Sequence, residues 1–350
     1  MTGSQFLLFF LSAGLLSAVL TYAVKHFARA RGVVDYPDQE RKIHSRPIPL
    51  LGGWAIYLSF AVSVLGAAIF TPWLPAKDLS LEIMVALLAS GFLIMLGGSI
   101  DDYKNLKPAW QLVAPVAAIL LVMSTGVSVK VITNPVGGGA VDLSVFGYWP
   151  LGITFMWLLG MTYTTKLLDG LDGLASGIGV IGSLVIFALT RFTPFYQPSV
   201  GLLAIILAGS LLGFLVWNWH PARVFLGEGG SLFIGFTLGV LAIVSGSKIA
   251  TAFLVMGVPA LDVAWIILRR LFWEKKSLGT ADRKHLHHRL LDVGLSHRQA
   301  VVFLYALTAV FGTSALFLGS RGKLMALGIL VLVMALLAGL LVWVYKYKKN

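Results

Sequence analysis

The sequence predicts an all-α polytopic integral membrane protein, a single domain over residues 1–350 with about eleven transmembrane helices. Three observations predict it. Of the 350 residues, 58% are hydrophobic and only 12% charged, about half the roughly 25% charged share of a soluble domain. Mean hydropathy is +0.87. Apolar runs recur from end to end at the length of about 20 residues that a helix needs to cross a bilayer, which excludes a soluble fold.

Taken in order, the runs fall near 6–24, 51–70, 83–100, 109–124, 148–167, 174–190, 200–217, 231–246, 249–268, 300–318 and 324–344. The first lacks a positively charged start and a small-residue cleavage signature, so it reads as a retained helix and not a signal peptide. The N-terminus is then outside and, after eleven crossings, the C-terminus is cytoplasmic. Basic residues agree, because Lys and Arg concentrate on cytoplasmic loops. In this orientation 21 of the 27 lie inside, leaving Lys77, Lys130, Arg191, Lys248, Arg321 and Lys323 outside. The formal net charge of +12 is therefore mostly an orientation signal, and no nucleic-acid partner is implied.

Two stretches are not spans. The outer segment 125–147, with Gly137-Gly138-Gly139 between Val/Ile-rich runs, reads as a short β-hairpin or irregular loop. The inner segment 269–299 is the longest soluble piece, with a helix expected from about Thr280–Asp282 to Gly294. Ser296-His297-Arg298-Gln299 after it matches a capping box that starts the next helix.

The chain has no cysteine, so thiolate metal sites, disulfides and cysteine nucleophiles are ruled out. Carboxylates are scarce and placed with a pattern. Asp101 and Asp102 follow the third span, Asp169 and Asp172 the fifth, and Glu228 the seventh. These odd-numbered spans all run inward, so the five acids emerge at one cytoplasmic face. Crowded carboxylates raise one another's pKa unless a cation sits between them, and an oxygen-only ligand set suits Mg²⁺. Taken singly, each motif is also what a polar turn looks like: Asp101-Asp102 with Lys104 and Lys107, the repeated Asp-Gly of 169–173, and Gly227-Glu228-Gly229-Gly230-Ser231, where Ser231 is placed to cap the next helix.

Three of the seven histidines form His285-Leu286-His287-His288 beside Arg283, Lys284 and Arg289. On a helix His285 and His288 share a face and His287 points away, so binding a phosphate or polar headgroup fits better than a three-histidine zinc site. The basic loop from Arg41 through Lys42, His44 and Arg46 to Gly53 fits membrane-surface electrostatics or phosphate contact equally. Asp262 lies inside the ninth span, where an acid is paired or functional by default.

In order and spacing, Asp101-Asp102, Asp169-Gly-Leu-Asp172-Gly, Pro221-Ala-Arg-Val-Phe-Leu-Gly-Glu-Gly-Gly-Ser231 and His-Leu-His-His resemble the polyprenyl-phosphate N-acetylhexosamine-1-phosphate transferase family. Within it, the His-Leu-His-His run looks like the WecA/TagO-type GlcNAc-1-phosphate transferases. The related phospho-MurNAc-pentapeptide translocase has a triple-His run. The resemblance implies transfer of a sugar-1-phosphate from a UDP-sugar to polyprenyl (undecaprenyl) phosphate, with release of UMP, in the cytoplasmic membrane. It implies Mg²⁺, or Mn²⁺ in its place, and leaves room for a homodimer. The expected metal ligands are Asp169 and Glu228, with Asp172 or Asp101, and Asp102 orients or deprotonates the lipid phosphate. Substrate contacts fall to Lys42, His44, Lys104, Lys166, Arg223, His285, His287 and His288.

This chain departs from the family pattern at three positions. Glu228 stands where Asp is usual, and Tyr163 and Lys166 replace two asparagines. Lys166, three residues before Asp169, is placed to pair with that carboxylate or to neutralise a diphosphate. A MurNAc-pentapeptide transferase, a non-catalytic relative and a secondary transporter are the competing readings. The last would put its ionisable groups near the midplane rather than at one face.

Overall fold

A computed structural model describes residues 1–37, 46–134, 139–194, 196–246, 249–274 and 285–349. Its helices are α1 (Gly3–Ala30), α2 (Gly53–Phe70), α3 (Leu81–Lys104), α4 (Pro108–Gln111), α5 (Val113–Ser124), α6 (Trp149–Leu168), α7 (Leu174–Phe192), α8 (Pro198–Asn218), α9 (Gly227–Val244), α10 (Ile249–Val255), α11 (Gly257–Arg269), α12 (Leu286–Asp292), α13 (His297–Phe317) and α14 (Ser320–Lys349). The protein is an all-α membrane protein in which eight described helices are long and apolar enough to cross a bilayer: α1, α2, α3, α7, α8, α9, α13 and α14.

The other three expected spans are helical but differ in kind. The 109–124 run is shorter than a span and divides at Leu112 into α4 and α5. Its neighbour α6 carries Thr154, Thr162, Thr164, Thr165 and Lys166, which lower its hydropathy. The ninth run is broken, with α10 and α11 meeting at 82°, next to Gly257 and Pro259, which lacks the N–H that helix continuity needs.

α9 and α8 form the centre of the bundle and α1 and α14 its edge: 89% of the apolar window of α9 is buried, against 17% for each of the outer two. Close packing at the centre depends on small residues, as is usual between helices in lipid. A Cβ on Gly98 of α3 would overlap Gly229 of α9, and one on Gly53 of α2 would overlap Gly230. These contacts bring the start of α2 and the end of α3 directly onto the start of α9, which is where the acidic motifs lie.

Of the two readings of segment 125–147, the strand pairing is the one observed, with β3 (Val131–Thr133) antiparallel to β4 (Ala140–Asp142) and Ile132 opposite Val141. A second short pair joins β1 (Val34–Asp35) to β2 (Ile48–Pro49) between α1 and α2. Ser296 caps α13 as predicted. Its hydroxyl accepts from Gln299 N, and Gln299 Oε1 accepts from Ser296 N at 2.9 Å. Residues 280–284, where the preceding helix was expected to begin, lie outside the described residues, and the described helix α12 starts at Leu286 after an extended His285. Ser231 does not cap a helix. α9 starts four residues earlier, and the Ser231 hydroxyl donates back to Glu228 O.

Candidate active site

Loops from four parts of the chain are pinned together at one end of the bundle. Buried Asn218, the last residue of α8, accepts from Gly173 N at 3.0 Å and from Ser176 Oγ at 3.1 Å, and donates to Val224 O at 3.0 Å. One amide thus ties the Asp169–Gly173 turn to the loop carrying Arg223. Tyr305 of α13 donates to Gly173 O. Gly52 N and Gly53 N donate to Phe225 O and Leu226 O at 3.0 and 2.8 Å, and Phe225 N to Pro49 O at 2.8 Å, which fixes the exit of the first inner loop against the same segment. Arg298 holds His220 O through two N–H groups, at 2.8 and 3.1 Å.

The five predicted carboxylates reach this end in two groups with Asp169 between them. In the first group, Asp102 accepts from Glu228 N at 3.1 and 3.2 Å, so a carboxylate on α3 caps the positive N-terminus of α9. Buried Asp101 accepts from Leu106 N at 2.8 Å and from Gln111 Nε2 at 3.2 Å. Lys166 Nζ stands 3.0 Å from Glu228 Oε2 and 4.0 Å from Asp101 Oδ2. Because α6 packs along α9, Lys166 reaches Glu228 rather than Asp169.

In the second group, His220 Nδ1 donates to Asp172 Oδ2 at 2.7 Å and Ala222 N to the same oxygen at 3.0 Å. The His297 ring stacks on His220 with centroids 4.0 Å apart. The side chain of Asp169 makes no hydrogen bond to a described residue. Burial, and then the negative charges of Glu228, Asp172 and Asp102, push its carboxyl up to about 8.

The histidine run is held by the intramembrane acid. Asp262 on α11 accepts from Leu286 N at 2.9 Å and from His285 Nδ1 at 2.8 Å, so its partner is the start of α12. The run does not sit as a regular helix would place it. His285 is extended, and His285 and His287 stack at 5.5 Å. His287 turns toward the acidic loop, where a Cβ on Gly170 would overlap its ring. Burial, with the neighbouring His288, His285 and His297 charges, holds the His287 pKa well below its ordinary value. At neutral pH it is therefore an uncharged ring and not a cation.

A cavity of about 810 Å³ opens beside these loops. Lys25, Arg29, Arg46 and Arg223 line it with Asp35, Asp169, Asp172, His220, His288 and His297, so cations and imidazoles face three carboxylates. Arg223 and Lys25 also lie over the Trp217 ring, at 6.0 and 5.2 Å. Such a cavity can neutralise a diphosphate and orient it against a second anion. Asp101, Asp102, Lys166 and Glu228 are not among its lining residues. Exposed Lys104, at the end of α3, is not part of the lining. Lys42 and His44 lie outside the described residues. Lys25, Arg29, His220 and His297 were not singled out as site residues from sequence. The detectable signal was that His220 adjoins the Arg223 loop and His297 the predicted cap.

Mg²⁺ needs several oxygens at about 2.0–2.1 Å. The Asp101–Glu228 position does not fit that need, because the Lys166 ammonium fills it. Asp169, whose carboxylate accepts no hydrogen bond from a described residue, is the most open to an ion otherwise ligated by substrate oxygens, whereas Asp102 and Asp172 also accept backbone N–H bonds but keep lone pairs that can ligate. Among the described residues, Asp172, His220 and His297 bring ligating atoms within 4.8 Å of one another. That mixed nitrogen and oxygen set suits a softer ion than Mg²⁺.

Residues 84–246 match the glycosyl transferase family 4 model. The Bacillus subtilis (strain 168) protein named "Probable undecaprenyl-phosphate N-acetylglucosaminyl 1-phosphate transferase" is 31% identical over 331 residues, covering 91% of this chain and 87% of the relative. The chain belongs to glycosyl transferase family 4. A decaprenyl-phosphate N-acetylglucosaminephosphotransferase of Mycolicibacterium smegmatis is 33% identical over 353 residues, with 91% and 85% covered. A phospho-N-acetylmuramoyl-pentapeptide-transferase of Halalkalibacterium halodurans is 29% identical over 283 residues, with 77% and 83% covered. Of the three positions set apart in the sequence, Lys166 forms an ion pair with Glu228 and lies 5.9 Å from the centre of the Tyr163 ring.

Proposed function

We propose that this protein transfers N-acetylglucosamine-1-phosphate, or a related HexNAc-1-phosphate, from a UDP-sugar to polyprenyl phosphate and releases UMP. The reading includes eleven crossings, an outside N-terminus and a catalytic cavity at the cytoplasmic face of the inner membrane. The observation that carries it is the cavity itself, where four cationic side chains face Asp35, Asp169 and Asp172 at the end of an apolar bundle. A soluble nucleotide sugar and a membrane-embedded phosphate can meet there. N-acetylglucosamine in the names of the Bacillus subtilis and Mycolicibacterium smegmatis relatives supports the sugar.

In the reaction, an oxygen of the lipid phosphate forms a bond to the sugar-bearing phosphorus, and the bridging P–O bond breaks toward UMP. A phosphate monoester has its second pKa near 6, so the nucleophile is largely ionised at neutral pH and needs little general-base help. Catalysis then consists mainly of positioning and charge compensation. Lys25, Arg29, Arg46 and Arg223 would compensate the diphosphate, and neutral His287 holds the Asp169–Gly170 turn in place. A divalent ion arriving with the nucleotide sugar, Mg²⁺ or Mn²⁺, would be held by Asp169 and would offset charge on the diphosphate.

Purified protein given UDP-GlcNAc, Mg²⁺ and undecaprenyl phosphate should release UMP and form the lipid-linked sugar. Arg223→Ala should lower the rate, by about tenfold or more for one lost charge-assisted contact. No UMP from any UDP-sugar would reject the transferase reading, and UMP only from UDP-MurNAc-pentapeptide would move it to the peptidoglycan branch.

A further inference from the structure

We infer that Lys166 is a built-in counter-cation: between Asp101 and Glu228 its ammonium takes the position a divalent ion would need. The inference refines the proposed transferase site but rests on geometry that holds whether or not transfer occurs. Around Nζ stand three oxygens from three elements: Glu228 Oε2 at 3.0 Å, Gln111 Oε1 at 3.0 Å and Asp101 Oδ2 at 4.0 Å. The Gln111 amide is fixed in the orientation this requires, since its nitrogen donates to Asp101 Oδ1 at 3.2 Å and to Leu106 O at 3.1 Å. Tyr163 donates to Gln111 O at 3.3 Å and places its ring beside the ammonium. Lys166 is only 16% exposed, so it is enclosed rather than a mobile surface lysine.

Two further points favour substitution over coexistence. Asp101, Asp102 and Glu228 crowd one end of α3 and α9, and such a group favours a positive charge beside it. The chain supplies one covalently. An ion seated between Asp101 and Glu228 would place two like charges within a few ångströms of each other, with the ammonium cut off from its oxygen partners. The departures also lie together: Lys166 pairs with Glu228, a carboxylate one methylene longer than the usual aspartate, and stands 5.9 Å from the centre of the Tyr163 ring.

The test is Mn²⁺ binding followed by electron paramagnetic resonance on detergent-purified protein, with no nucleotide sugar present. Wild type and Glu228→Gln should bind the same number of ions per chain. Lys166→Asn should gain one Mn²⁺ per chain, and Lys166→Asn combined with Glu228→Gln should lose it again. A wild-type ion that Glu228→Gln removes would overturn the inference, as would a folded Lys166→Asn protein that gains none. If Lys166→Asn cannot be purified folded, the wild-type and Glu228→Gln pair decides alone. Because no sugar donor is present, an inactive transferase would leave this result unchanged.

Discussion

Asp169 and Asp102 carry opposite kinds of information at the level of the single residue. Asp169 follows α6 with a carboxyl pushed from 3.8 up to about 8 by burial and by Glu228, Asp172 and Asp102. Its folded-state pKa lies above the unfolded value, so the folded chain holds a proton that the unfolded chain releases. Its contribution to stability is therefore fully present below about 4 and is lost as pH rises to about 8. Metal-free protein should melt at a lower temperature at about pH 8.5 than at about pH 5, and Asp169→Asn should flatten that slope. An unchanged slope in the variant would assign the pH dependence elsewhere. Asp102 is bonded through both oxygens to the Glu228 amide. Asn caps about as well as Asp, whereas Ala costs about 1 kcal/mol. On the expectation that Asp102 orients the lipid phosphate, Asp102→Asn should keep the melting temperature while losing transfer activity, and Asp102→Ala should lower both. Full activity in Asp102→Asn would reduce this residue to a cap.

Two tethers hold movable elements at the scale of helices and loops. Asp262 joins broken α11 to α12 by two bonds from one carboxylate. Removing it leaves a backbone N–H and an imidazole unpaired near the membrane surface. Asp262→Ala should raise amide exchange across Leu286–Asp292 and speed proteolysis of the 269–299 segment, while the central helices exchange as before. Unaltered exchange in α12 would show that packing alone fixes the histidine run. Asn218 makes three bonds from a buried site. Asn218→Ala should cost about 2 kcal/mol or more, since the partners it leaves are themselves buried. The change should appear in the melting temperature and in KM for the UDP-sugar.

The whole molecule presents its acidic loops at one end of the bundle, and that end has to be the cytoplasmic one for the proposed reaction. The absence of cysteine makes the orientation directly testable. Single substitutions Thr2→Cys and Tyr148→Cys should react with an impermeant maleimide added to intact cells, and Lys104→Cys only after permeabilisation. The reverse pattern would place the cavity outside and reject the orientation together with the cytoplasmic transferase reading.

Much of this architecture was legible in the chain because it depends on local chemistry. Run length and composition locate the helices, since lipid tolerates only backbone that satisfies its own hydrogen bonds. The Ser296 cap and the outer hairpin follow from a few adjacent residues, and the alternation of spans already sends Asp101, Asp102, Asp169, Asp172 and Glu228 to one face. Tertiary structure alone decided which carboxylate meets which partner. Spacing along α6 pointed Lys166 to Asp169, yet packing of α6 on α9 delivers it to Glu228. A regular helix would turn His287 away, yet the Asp262 tether turns it onto Gly170. His220 and His297, 77 positions apart in the numbering, stack only because α13 docks beside the end of α8. Helix formation in a membrane is set by near neighbours in sequence, whereas a charge takes its partner from whatever oxygen or nitrogen the packed helices leave within reach.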